Sequence, residues 1–210
     1  MDCRILNLQR PTGGGSSLEL NSLGVTMADV PESLEALWQL ADDLGHRSSV
    51  DPAYVLDHIG LLLVRPLECW DSEYTPVNSL TFAQSGEDGT HFSLLQIEGV
   101  DLASAPVVMT VPSAGAEGNI VVAADFDEFL AVGATGGWFT LERLADGLDD
   151  AIEELATADP DPWSEHEQLL AFVRERLGVE PAPLTLKRLD ALQQQFGEDI
   201  ILDEGAEASR

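Results

Sequence analysis

Residues 80–97 read LTFAQSGEDGTHFSLLQI and give the clearest indication of the fold. Two runs of strand length, 80–83 and 91–97, flank segment 84–89, which holds two glycines and an Asp-Gly pair. Such a segment between two strand-like runs is typical of a β-hairpin. In the second run, the apolar Phe92 and Leu94 alternate with His91, Ser93 and Leu95, which predicts a strand with two different faces.

Further strand-like runs lie on both sides of this hairpin. An apolar run at 61–64 precedes it, residues 107–111 stand between two prolines, and 119–122 follow a glycine-rich loop. Together these runs predict a mostly antiparallel sheet of at least four strands between residues 61 and 122, with at least one buried face.

Helical patterns precede and follow the predicted sheet. A first helix is expected at 31–44, ending before Gly45-His46-Arg47, and a capping box of Asp125 and Glu128 opens a second helix through residue 132. The last part of the chain predicts helices at 164–177 and from 185 to about 196, then a short edge strand at 200–202. The expected fold class is α+β, a mostly antiparallel central sheet flanked by helices with a helical C-terminal extension.

The 210 residues suit one large domain, or one domain with an extension. We divide the chain into an N-terminal segment at 1–30, an α+β core at 31–158 and a helical extension with an acidic tail at 159–210. The N-terminal segment contains TGGGSS at 12–17, which is typical of a flexible loop. This run is not a phosphate-binding loop, because it lacks the lysine and the adjoining hydroxyl residue.

The net charge is the least ordinary feature of the composition. A formal charge of −28 and an isoelectric point near 4.1 predict a negative potential over much of the surface. Such a surface repels nucleic acid and anionic lipid, so we expect no direct nucleic-acid binding, and it steers basic proteins toward the chain. A proteome-wide acidic bias would explain the same composition, and the sequence leaves both explanations open.

Several patterns bear on location. The sequence contains no run of about 20 apolar residues that could cross a membrane. Polar residues interrupt the short apolar stretch near the N-terminus, so no signal-peptide core is expected there. Cys3 and Cys69 stand far apart with no paired spacing, and we interpret them as free thiols in a reducing compartment. The expected location is the cytoplasm.

Residues 75–133 carry a family likeness. The strand 80–83, the turn 85–89, the strand 91–95, Ala105-Pro106-Val107-Val108 and the run IVVAADFDEFL at 120–130 together resemble the SUKH superfamily. That superfamily includes fungal cell-wall-assembly regulators and many bacterial immunity proteins encoded beside secreted toxins. The long insertion up to residue 75 and the helices after residue 158 depart from its common core. The resemblance implies an α+β fold without a cofactor that holds a partner on its sheet or on the rim loops.

No convergent catalytic chemistry stands out in the sequence. The four histidines show neither i,i+4 pairing nor the cysteine-histidine spacing of a zinc site, and nucleophile-elbow and dinucleotide motifs are missing. We interpret His91 as a surface or half-buried sheet residue and His166 as a solvated residue of a first helical turn. The 38 acidic residues make chance carboxylate pairs unavoidable. We therefore expect no catalytic residue, no metal and no cofactor.

Aromatic residues near acids are the candidates for partner contact, because aromatic side chains dominate binding hot spots. Trp38, Trp138 and Phe139 are expected in the core. For Trp70 and Tyr74, core packing and partner binding both stay open. The predicted partner-binding residues lie in loops bordering the sheet: Glu68, Trp70, Asp71, Glu73, Tyr74, Glu87 and Asp88.

Three functions remain open at this point. The first is an immunity-type inhibitor that binds and neutralises a basic toxin or nuclease domain. The second is an intracellular adaptor or regulatory protein of the same fold without a toxin partner, and the third is an uncharacterised hydrolase.

Overall fold

The centre of the fold is a five-stranded antiparallel sheet whose strand order follows the chain. The computed structural model describes residues 30–203 apart from 71, 87, 146, 148–151 and 153–163. The strands are β1 (Leu62–Glu68), β2 (Ser79–Gln84), β3 (His91–Leu95), β4 (Val107–Thr110) and β5 (Asn119–Ala123). The predicted α+β class and antiparallel sheet are confirmed, whereas the predicted glycine-serine loop lies outside the described residues.

The β2–β3 hairpin forms where the sequence predicts it. Its ladder runs from Ser79 opposite Leu95 to Gln84 opposite His91. The N–H of Ser85 then donates to the carbonyl of Thr90 over 2.9 Å and closes the turn. Gly86 and Gly89 have φ values of 74° and 75° in this turn, a conformation that a residue with a Cβ adopts only with strain.

In the part of the chain that the structure describes, four α-helices accompany the sheet: α1 (Glu32–Ser48), α2 (Phe126–Gly136), α3 (Glu165–Leu177) and α4 (Leu186–Phe196). The predicted caps are present, because Asp125 accepts from the Glu128 N–H and Ser164 from the Glu167 N–H. The predicted end of α1 before Gly45 is wrong. A Cβ at Gly45 would lie 2.8 Å from the Val50 carbonyl oxygen, so this glycine permits close approach of the returning chain and does not stop the helix.

Helix α2 packs on one face of the sheet through aromatic side chains. The rings of Phe126 and Phe129 meet that of Phe82 edge-on at centroid distances of 5.1 and 5.2 Å. Trp138 is fully buried beside them, and its indole N–H donates to the Phe129 carbonyl over 3.2 Å. The predicted core positions of Trp38 and Trp138 are confirmed.

The C-terminal helices join this same core. Leu170 and Val173 of α3, and Leu189 and Leu192 of α4, are buried within the one hydrophobic cluster. Arg188 of α4 makes a two-pronged ion pair with Glu128, with N···O distances of 2.6 and 2.7 Å. The predicted boundary at 158/159 lies outside the described residues.

The edge of β5 is covered by a side chain of α4. The Gln193 amide donates to the Val121 carbonyl over 2.9 Å and accepts from the Val121 N–H over 3.4 Å, as a neighbouring strand would do. This contact occupies part of an otherwise open sheet edge.

The predicted edge strand at 200–202 is not a regular strand. The Ile201 carbonyl accepts from the Val77 N–H over 2.8 Å, but the Ile201 N–H donates to the Asn78 side chain, which interrupts backbone pairing. Within the described ranges, none of the helices combines the length and the apolar character that crossing a membrane requires.

Candidate functional site

The sheet face opposite α2 carries small polar side chains that are buried. Thr81 and Ser93 stand opposite each other on β2 and β3, and their hydroxyls are 2.9 Å apart. His91 and Thr110 form the next row toward the hairpin turn, and all four side chains are fully buried. Because buried polar groups need partners, this face is held in one arrangement by its hydrogen bonds.

His91 lies at the hairpin-turn end of this polar face. Its Nδ1 is 2.9 Å from the Gly89 carbonyl, which can only accept, so Nδ1 carries the hydrogen. Burial lowers the pKa of His91, and the hydrogen bond to Gly89 only partly offsets this effect. The neutral ring therefore accepts at Nε2 from the Thr75 hydroxyl over 3.1 Å. The predicted surface or half-buried position of His91 is wrong.

The cover over His91 comes from the loop between β1 and β2. The Trp70 ring lies 4.6 Å from the His91 ring, centroid to centroid, and Thr75 follows five residues later. Between them, the Tyr74 carbonyl accepts from the Asn119 amide over 2.9 Å, and Asn119 in turn accepts from the Thr110 hydroxyl. Trp70, Tyr74 and Thr75 are therefore held against the starts of β3 and β5.

Two more segments meet at this end of the sheet. The 3-10 segment Pro112–Gly118 lies beside the hairpin turn, since a Cβ built on Gly89 would be 3.7 Å from Cγ of Pro112. A second 3-10 segment, Phe139–Ala145, attaches to the same turn through a hydrogen bond from Ser85 to Glu142.

The charged form of Glu142 is disfavoured in this region. Burial raises the pKa of the Glu142 carboxyl, and the negative charge of Asp88 raises it further. The hydrogen bond from Ser85 acts in the opposite direction without cancelling the rise. Glu142 and Asp88 are thus close enough to interact across the turn and the second 3-10 segment.

The structure brings together most of the predicted partner-binding residues that it describes. Glu73 and Asp88 are exposed, and Trp70 and Tyr74 are half-buried, all beside the His91 end of the sheet. Glu68 ends β1 opposite Thr81, in the middle of β2, and so lies apart from the turn. Asp71 and Glu87 lie outside the described residues.

We define the sheet-end surface as Trp70, Glu73, Tyr74, Asp88 and Glu117. Glu117, which was not among the predicted partner-binding residues, is exposed on the segment Pro112–Gly118, whose Gly115 approaches the Tyr74 ring. Glu142 was missed as well. No periodic pattern marks either residue, because their place in the site depends on contacts between distant loops.

Two further expectations about single residues are wrong. His166 is partly buried, with Nδ1 2.9 Å from the His58 carbonyl and Nε2 3.2 Å from the Gly136 carbonyl. It joins α3 to the end of α2 and is not a solvated residue. Phe139 was expected in the core but is 44% exposed, with its ring edge-on to the His166 ring.

Cys69 is disulfide-bonded, which contradicts the expected free thiol. The one other cysteine in the sequence is Cys3, which lies outside the described residues. Spacing along the chain does not decide whether a cysteine is bonded, so the interpretation of Cys69 as a free thiol is wrong. Cys69 therefore gives no indication of a reducing compartment.

The described residues contain no group of three or more histidine, cysteine or acidic side chains arranged to hold a metal ion. His91 has both ring nitrogens engaged by Gly89 and Thr75. Its geometry is that of a hydrogen-bonded structural residue.

No protein-family model matches the chain, and no curated protein matches its sequence.

Proposed function

We propose that this chain is a protein-binding domain that holds a basic partner at the sheet-end surface. The observation that carries the proposal is the meeting of three separate segments around His91. Together they set exposed acids beside two half-buried aromatic side chains. Acids attract and orient a basic partner, whereas aromatic contacts supply most of the energy that keeps a complex together.

The residues beneath this surface support the proposal because contacts with the sheet hold them in place without a partner. Thr75, the Tyr74 carbonyl and the Trp70 ring each contact the sheet. A loop that is already ordered loses little conformational entropy on binding. The half-buried aromatics therefore present fixed edges to a partner.

The SUKH resemblance supports a more specific form of the proposal. In that form the chain is an immunity-type inhibitor that binds and neutralises a basic toxin or nuclease domain. An adaptor or regulatory protein of the same fold is the alternative. A toxin gene directly beside the gene for this chain would favour the immunity-type inhibitor over the adaptor. Expressing the chain in cells that produce that toxin tests the inhibitor, which should protect the cells.

An uncharacterised hydrolase is the third candidate, and the site chemistry supports it least. Hydrolysis requires a positioned acid, base or nucleophile within reach of a substrate. The one buried histidine at the sheet end, His91, has its ring nitrogens occupied.

The proposed compartment is the cytoplasm, where an immunity protein against a nuclease would meet its target. Disulfides persist mainly in oxidising compartments, so the redox state of Cys69 in cells tests this location. Trapping thiols in intact cells measures that redox state. A chain with two reduced cysteines places it in the cytoplasm, and a fully oxidised chain contradicts that location.

Capture of the partner with matched variants tests the binding proposal. The test variant is Glu73→Gln with Asp88→Asn, and the control is Glu98→Gln with Asp101→Asn, which changes the charge equally in the exposed loop at the other end of β3. The proposal expects a basic protein that is retained by the wild type and the control but lost by the test variant. Equal retention by both variants contradicts the sheet-end surface.

A further inference from the structure

A cleft on the helical side of the molecule is a second binding feature, separate from the sheet end. It encloses about 340 Å³ between the first turns of α1 and α2 and the end of α3 with the residues that follow. Ala36, Leu130, Ala131, Leu177 and Val179 supply apolar walls, and Ser33, Asp127, Gly178 and Glu180 complete the lining.

The walls of the cleft are fixed by contacts outside it. The Ala182 N–H donates to the Ala131 carbonyl over 3.0 Å and holds the segment after α3 against α2. The N–H groups of Gly178 and Val179 both donate to the Arg174 carbonyl at the end of α3. Leu130, on the cleft wall, is 2% exposed and belongs to the core. The cleft is thus part of the packed structure and is not a gap between loose loops.

The charges around the cleft select a cation. The described lining carries two exposed carboxylates, Asp127 and Glu180, and no lysine or arginine. The starts of α1 and α2 each contribute roughly half a positive charge, and the end of α3 roughly half a negative one. Two full negative charges and the end of α3 outweigh these contributions. Glu32 and Glu35 in the first turn of α1 add negative charge. Arg174 and Arg176 in the last turn of α3 add positive charge, but each is paired with an acid, Glu167 and Asp43 respectively.

The shape and the charge together identify the occupant. An apolar wall suits an alkyl chain, and carboxylates at the rim suit a cationic group at the end of that chain. We infer that this cleft accepts an arginine side chain of a protein partner, with the alkyl stem along Leu130 and Leu177 and the guanidinium between Asp127 and Glu180. The volume lies at the lower end of the range for ligand pockets, which start at about 300 Å³, and is large enough for one such side chain.

This inference does not rest on the proposed function, because arginine binding is measured directly. The probe is N-acetyl-arginine methylamide, titrated into the full chain with amide chemical shifts as the readout. The matched neutral probe is the citrulline analogue, which keeps the shape and loses the charge. We expect saturable shifts at Ala36, Ala131 and Val179 with the arginine probe, and binding at least about tenfold weaker with the citrulline probe, the loss expected when a charge that faces two carboxylates is removed.

Variants locate the site and keep the inference falsifiable. Asp127→Asn and Glu180→Gln should each weaken the arginine probe about two- to fivefold, the range of a solvent-exposed ion pair. Glu165→Gln, which also lies exposed in the first turn of a helix, should leave the affinity unchanged. Shifts that do not saturate, equal binding of the citrulline probe, or preferential binding of inorganic phosphate at the helix starts would each overturn the inference.

Discussion

The Thr75 hydroxyl donates a hydrogen bond to Nε2 of His91 across 3.1 Å. Thr75 lies in the connection between β1 and β2, which covers the His91 ring. This bond joins the connection between β1 and β2 to the first residue of β3. It fixes the protonation of the imidazole, because Nδ1 already donates to Gly89. The sheet-end surface is built over this pair.

Acid should destabilise the protein through His91. Burial holds the pKa of His91 in the folded chain below the value of about 6.5 that it has in the unfolded chain. The unfolded state therefore takes up the proton first, and the free energy of unfolding falls as pH drops below about 6.5, by at most about 1.4 kcal/mol per pH unit for this one proton. Urea unfolding between pH 7.5 and 5.5 measures the slope.

His91→Asn supplies the comparison for this measurement. Asparagine removes the titrating group, so the variant should be less stable at pH 7.5 but should lose less stability on acidification. Thr75→Ser keeps the hydroxyl donor and should keep the slope of the wild type. Equal slopes for the wild type and His91→Asn would contradict the assignment of a buried neutral imidazole.

Neutralising Glu142 should stabilise the protein at neutral pH. The pKa of Glu142 is raised in the folded chain, so the charged carboxylate of the wild type reduces stability as pH rises through that pKa. Glutamine keeps an acceptor for Ser85 and removes the charge. Because Glu142 is partly exposed, we expect a gain in the free energy of unfolding below about 1 kcal/mol at pH 7, which disappears toward pH 4.5.

The control for Glu142→Gln is Glu98→Gln, which makes the same change of net charge at an exposed position. The control should gain less stability at pH 7. A Glu142→Gln protein that is less stable than the wild type at pH 7 would show that the carboxylate is favourable in this site.

Gly133 should tolerate no side chain. A Cβ there would lie 1.9 Å from Cε2 of Trp138, within the packed core. We expect Gly133→Ala to lower the free energy of unfolding by about 2 kcal/mol or more, as overpacking does. Thermal or urea unfolding measures this loss, and a variant as stable as the wild type would contradict the packing of Trp138 on α2.

Gly136 is the matched control, three residues further along α2. A Cβ there meets no atom within 4 Å, and its φ is not positive. Gly136→Ala should therefore be neutral or stabilise the protein by up to about 1 kcal/mol, because alanine has fewer conformations in the unfolded chain.

Local patterns in the sequence predicted the elements of the fold. The alternation in 91–95 and the capping residues Asp125 and Ser164 act within a few positions, and the hairpin, α2 and α3 formed accordingly. The burial of His91 could not be predicted in this way. His91 is covered by Trp70 and Thr75, which belong to a loop with no periodic pattern. The alternation of residues along β3 does not predict which face of the sheet that loop covers.

The same limit applies to the candidate site. Glu73 and Asp88 were predicted because acids near aromatics mark contact loops, but Glu117 was not, because it reaches the sheet end through the turn after β4. The walls of the cleft on the helical side come from α1, α2 and the end of α3, which are distant in sequence. Tertiary packing alone brings these residues together.

The kinetics of partner binding at different salt concentrations test whether the sheet-end surface binds a basic partner. With the captured basic partner, the association rate should fall steeply between 0.1 and 1 M salt, as the Debye length shrinks from about 10 to about 3 Å. Glu73→Gln with Asp88→Asn should mainly slow association. Trp70→Ala or Tyr74→Ala should speed dissociation about 30-fold, which corresponds to a hot-spot loss of about 2 kcal/mol. Each variant is first shown to be folded, because Trp70 also packs on His91. Association that is equally fast at both salt concentrations, together with dissociation that is unchanged in folded Trp70→Ala and Tyr74→Ala proteins, would contradict binding at the sheet-end surface.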